Sequence, residues 1–83
     1  MKIVGYEKSS GNFNGINYNN VYLYVSQEIK PEKGKGVKVY RNKVKADLFN
    51  DWCLDSGLSD PQDCLGVDVR FMYDSYGNIV ELQ

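Results

Sequence analysis

A chain of 83 residues, 42% hydrophobic and 25% charged, has the makings of one globular domain, residues 1–83, with a single modest core. No apolar run approaches the roughly eighteen residues of a membrane helix, and the lack of histidine beside only two cysteines excludes a four-ligand zinc site and every His-activated nucleophile. The formal charge of −1 hides a division along the chain: residues 1–29 balance, residues 30–45 carry seven cations against Glu32, and residues 46–83 carry Arg70 against seven aspartates and Glu81.

The opening "MKIVGYEKSSG" has no apolar stretch of the kind a secretion signal carries, which predicts a cytoplasmic protein. In that compartment Cys53 and Cys64 are expected as reduced thiols packed as small hydrophobes; a disulfide is the other arrangement open to them. "KIVGYE" (2–7) is short, β-branched and aromatic, and reads as a first strand. "KSSGNFNGINYNN" (8–20) is rich in Gly, Asn and Ser, with turn signals at Gly11 and at Asn14–Gly15. It reads as a long mobile loop or an irregular hairpin tip carrying Phe13 and Tyr18. "VYLYVSQEI" alternates: Val21, Leu23 and Val25 point one way, Tyr22, Tyr24 and Ser26 the other, which means a strand. "KPEKGKG" breaks it with Pro31, Gly34 and Gly36. "VKVYRNKV" then resumes the alternation, with Val37 and Val39 expected inside and Lys38 and Tyr40 outside, so the two runs should pair as a hairpin.

The period then changes. "ADLFNDWCLDSG" puts Leu48, Phe49, Trp52 and Cys53 on one arc of a helix over 47–56, Asp47, Asp51 and Asp55 on another, and Gly57 where a helix end favours a left-handed residue. Ser59 or Asp60 can cap one further turn through Pro61. "VDVRFMYD" returns to period two, with Val67, Val69, Phe71 and Tyr73 on one face, "SYGN" turns, and "IVELQ" closes a last hairpin. The predicted order β-β-β-α-β-β is mainly β with one helix, and is the connection order of the five-stranded, partly open OB barrel. An open α+β sheet with the helix across one face is the alternative. Leu48, Phe49 and Trp52 are expected against Val21, Leu23, Val37, Val39, Val69 and Phe71.

The concentration of tyrosine and cation between Val21 and Lys45 is the candidate site. Tyr22, Tyr24 and Tyr40, with Lys33, Lys35, Lys38, Arg41 and Lys43, combine aromatic faces for bases with cations for phosphates, which is what a single strand of nucleic acid requires. The same residues also suit a solvated sheet face, where tyrosine covers a small core with its hydroxyl wet and lysine guards an edge. Asp47, Asp51 and Asp55 read as a solvated helix face, or as a surface for a basic protein partner. No calcium loop and no spacing that selects an acid–base pair appears. The expectation is a binding protein without metal or cofactor, not an enzyme.

Taken together, "KIVGY", the Gly/Asn-rich segment, the tyrosine strand, "VYRNKV" before the helix and "LGVDVRFMYDSYGNIVEL" at the end resemble small proteins carried by phages and mobile elements of Gram-positive bacteria. More distantly, the layout is similar to the gene-V-type single-stranded DNA-binding proteins of filamentous phages. The resemblance implies an OB-fold that binds single strands as a homodimer, through Tyr22, Tyr24, Lys38, Tyr40 and the lysines of the intervening loop. A second function class also fits a phage-borne protein of this charge pattern. It is a protein–protein modulator, such as an inhibitor of a host nuclease or CRISPR effector, docking its acidic half on a basic groove.

Overall fold

The computed structural model describes residues 1–83. Strands β1 (Lys2–Phe13) and β2 (Ile16–Glu28) form one long antiparallel hairpin, and β3 (Val37–Lys45) pairs with the other edge of β2. Helix α1 (Ala46–Asp55) and a 3-10 turn (Pro61–Cys64) follow, and then β4 (Phe71–Tyr73) pairs with β5 (Ile79–Leu82). The protein is mainly β with one α-helix, its five strands divided between two antiparallel sheets, β1-β2-β3 and β4-β5. No helix is long and apolar enough to cross a membrane.

The sheets are tied together at the start of β1. The N–H of Ile3 donates to the Val67 carbonyl at 3.0 Å, that of Gly66 to the Ile3 carbonyl at 2.7 Å, and that of Val69 to the Met1 carbonyl at 2.8 Å. On the opposite side no backbone hydrogen bond joins β3 to β5. The sheets therefore do not close into a barrel, and a groove separates these two strands.

The core lies between the first sheet and α1. Ile3, Val21, Leu23, Val25 and Val44 meet Phe49, Trp52, Cys64, Phe71 and Leu82, all buried. The ring of Phe49 stacks on Tyr6 with centroids 5.3 Å apart and lies 6.0 Å from Trp52, within the range of favourable aromatic pairs. Leu48 is half-buried at the margin. The helix ends as its sequence requires. Gly57 takes φ 74°, while the N–H groups of Gly57 and Leu58 donate back to the carbonyls of Leu54 and Cys53, a paired closure that leaves few orphan carbonyls. Asp60 caps the following turn, accepting from the Gln62 N–H at 2.9 Å. Cys53 and Cys64 are free and buried.

Three features differ from the sequence reading. Of the two forms expected for residues 8–20 the hairpin tip is the one present, and it is regular, not irregular: β1 and β2 run through it in unbroken register to a two-residue turn at Asn14–Gly15. Both turn residues have positive φ, 51° and 79°, the pair of conformations that matches the twist of a hairpin and suits Asn-Gly. The second difference is the phase of β3. Val37 and Val39 are 61% and 56% exposed, and the core residue of the strand is Val44. "VKVYRNKV" contains valines of both parities, and the direct run of β3 into α1 at Lys45–Ala46 decides between them by putting Val44 opposite Val21 over the core. A one-residue change of phase sends every side chain to the other face, so Lys38 and Tyr40 lie on the core side, opposite Gln27 and Val25, where both remain exposed. Third, only Phe71–Tyr73 of the predicted fourth strand pairs with β5, and an irregularity between Met72 and Tyr73 leaves Tyr73 exposed while Val69 and Phe71 are buried.

Candidate functional site

Directly opposed residues of an antiparallel pair share a face. Across β2 and β3, Tyr22 stands opposite Lys43, Tyr24 opposite Arg41, and Asn20 opposite Lys45. Leu23 and Val25 at the intervening positions are fully buried, so these six residues occupy the face turned away from the core. Tyr22 and Tyr24 are half-buried there, and the three cations are exposed.

Two contacts fix the rings. The guanidinium carbon of Arg41 lies 4.7 Å from the centroid of Tyr22, a cation–π arrangement whose guanidinium plane also offers a stacking surface of its own. Tyr24 reaches over β1, where its hydroxyl donates to Oε1 of Glu7 at 3.1 Å. Its ring atoms Cδ2 and Cγ would lie 3.1 and 3.3 Å from a Cβ on Gly5. Glycine at position 5 lets that ring pass close over the neighbouring strand.

Beside this face, a groove of about 520 Å³ runs between β3 and the β4–β5 hairpin. Asn20, Arg41, Lys43 and Lys45 form one wall; Tyr73, Asn78, Ile79 and Val80 form the other. The hairpin wall is held by Asp74, whose Oδ1 accepts from the N–H groups of Tyr76 at 2.8 Å and Asn78 at 2.9 Å. Led by the Asn78 N–H, these bonds hold the Asp74 carboxyl below the usual carboxylate range, because they favour its charged form. Asp74 is thus the one anion in a groove that otherwise collects cations.

Of the eight residues expected at the site, Tyr22, Tyr24, Arg41 and Lys43 come together. Lys38 and Tyr40 do not join them: they pair with Gln27 and Val25 on the opposite face, for the reason of phase given above. Lys33 and Lys35 lie exposed in the connection between β2 and β3, outside both strands. Lys45 and Asn20 were missed in the sequence: Asn20 continues the alternation of Tyr22 and Tyr24, whereas the phase expected for 37–45 turned Lys45 inward, and only the observed register brings it to this face. Asp47, Asp51 and Asp55 are exposed along α1. Comparison with family models, with curated proteins and with solved structures finds no match to this chain.

Proposed function

We propose that this protein binds single-stranded nucleic acid on the outer face of β2 and β3, with bases on Tyr22 and Tyr24 and phosphates toward Arg41, Lys43 and Lys45. The observation that carries this reading is the shared face of two tyrosines and three cations, with an aromatic–guanidinium stack at its centre. Stacking is tolerant of sequence, and cations track a backbone, so the expected ligand is a strand rather than one particular base sequence. The element order, the tie between β1 and residues 66–69, and the facing of β3 and β5 across the groove support an open, OB-like arrangement, in which strands 2 and 3 present the ligand face.

The test is fluorescence anisotropy with a labelled oligonucleotide at low salt. Tyr22→Leu and Tyr24→Leu should each weaken binding by about 1–3 kcal/mol, whereas Tyr40→Leu, on the other face, should leave it unchanged. No binding by the wild type at tens of micromolar would remove the reading. In that event the exposed row Asp47, Asp51 and Asp55 supports the second one, docking on a basic protein surface, which charge reversal of the three to Lys should abolish.

A further inference from the structure

Beyond the end of β3, which pairs no further than Asn20 opposite Lys45, β1 and β2 continue alone from Ser10–Asn19 to Phe13–Ile16. This two-stranded arm has no third strand and contributes nothing to the core, and such ribbons are marginal in water without a partner. Its two faces differ. On one, Asn12 donates from its side-chain amide to Asn17 at 2.8 Å, beside Ser10 and Asn19. On the other, in the same alternation as Tyr22 and Tyr24, stand Phe13, Ile16 and Tyr18, which are 70%, 71% and 43% exposed.

Tyr18, like Tyr24, stands opposite a glycine of β1. A Cβ on Gly11 would lie 2.7 Å from the Tyr18 hydroxyl oxygen and 3.0 Å from Cζ, so a ring again passes close over a glycine of β1. Gly11 lies under the far end of the Tyr18 ring, whereas Gly5 lies against Cβ and the near ring atoms of Tyr24; what the two tyrosines share is a face and a glycine as cross-strand partner. The arm and the strand behind it also carry no charge at all from Ser9 to Gln27.

We propose that the arm continues the stacking surface, with Tyr18 as a further base-stacking residue and Phe13 and Ile16 as its apolar end. A bound strand then runs along β2 from Tyr24 toward the Asn14–Gly15 turn. This rests on the single-strand reading above and extends it. From Tyr24 to Ile16 is about 27 Å at strand rise, so a strand of only a few nucleotides on Tyr22 and Tyr24 does not reach the end of the arm. Because the arm has no cation, it adds affinity without neutralising phosphates, and its contribution is independent of salt.

The experiment compares oligo-deoxythymidines of about four and about twelve nucleotides, lengths within the range that single-strand sites cover. Each is titrated against the wild-type protein, the triple variant Phe13→Ser/Ile16→Thr/Tyr18→Ser, Gly11→Ala and Tyr18→Phe. All substituted side chains are exposed, and the hydroxyl that Gly11→Ala displaces is the free end of a side chain, so the fold survives. The triple variant should bind the longer strand about 5- to 150-fold more weakly for each stack lost, with its salt slope and its affinity for the short strand unchanged. Gly11→Ala should lose part of the same increment, and Tyr18→Phe, which keeps the ring, should match the wild type.

Equal binding of the longer strand by triple variant and wild type would overturn the arm's role and leave the Tyr22–Tyr24 face standing. A flattened salt slope would also overturn it, as would a triple variant weakened equally on both lengths together with loss of a dimer in sedimentation, which would make the arm a contact between copies. Failure of the wild type to bind either length overturns both readings.

Discussion

Replacing Lys43 with Gln separates the observed register from the phase that the sequence suggested. Lys43 shares a face with Tyr22, while Lys38 lies on the other side of the same strand. Three cations, Arg41, Lys43 and Lys45, stand on the tyrosine face. Each phosphate neutralised on a single strand contributes about −0.7 to the slope of log affinity against log salt, so three give a slope near −2 and a fall of about 18-fold between about 50 and 200 mM salt. Lys43→Gln removes one contact, reducing that fall to about 7-fold. It leaves the stack of Arg41 on Tyr22 in place. Lys38→Gln makes the same change in net charge and should retain the full 18-fold fall. Anisotropy titrations at four or five salt concentrations measure both slopes. Equal flattening by the two variants would show that the strand senses only total charge, and the assignment of a face would be refuted. Flattening by Lys38→Gln alone would place the ligand on the core side of β3.

Stability tests the same register without a ligand. Val44→Ala should cost about 2 kcal/mol in urea unfolding, from buried carbons lost and the space they leave, whereas Val39→Ala should stay within about 0.5 kcal/mol. The reverse order would restore the opposite phase. Burial pushes both thiols up, Cys64 to about 11 with the neighbouring Cys53 adding to the effect. A thiol reagent at neutral pH should therefore react slowly with the native protein and with both cysteines once it is unfolded. Since these groups ionise more readily in the unfolded chain, their contribution to stability is intact below pH about 9 and is lost as pH rises toward 11; a melting temperature constant across that window would refute the burial of the thiols. Helix α1 has Asp47 in its first turn and no cation in its last. Asp55→Lys should raise stability by about 0.3–1 kcal/mol and Asp47→Lys should lower it by a similar amount, and equal effects from both would mean that the helix field is not felt there.

Elements whose signals are local are legible in the amino-acid order alone. The helix follows from the spacing of Leu48, Phe49, Trp52 and Cys53 and from Gly57 at its end, because a 3.6-residue period and a left-handed terminus need no distant partner to be recognised. Likewise the strand 21–28 was legible in its alternation, which placed Tyr22 and Tyr24 on one face; Arg41 and Lys43 were legible by their charge alone, since the phase expected for 37–45 turned them inward with Val37 and Val39. Tertiary structure decided what local pattern leaves open. "VKVYRNKV" offers valines of both parities, and only the placement of Val44 over Val21, enforced where β3 passes directly into α1, says which set is buried. That choice moved Lys38 and Tyr40 away from the site and brought Lys45 to it. The arm was legible only as one of two alternatives, loop or hairpin tip, for a related reason. Polar, glycine-rich strands such as "SSGNFNGINYNN" have no buried face to impose an apolar alternation, so composition favours a loop, while pairing across the Asn14–Gly15 turn supplies the hydrogen bonds that make them strands. Closure, finally, depends on whether β3 reaches β5. That is a matter of distance between two edges far apart in the chain, which no sequence period encodes, and here the edges remain apart across a groove lined by Arg41, Lys43 and Lys45.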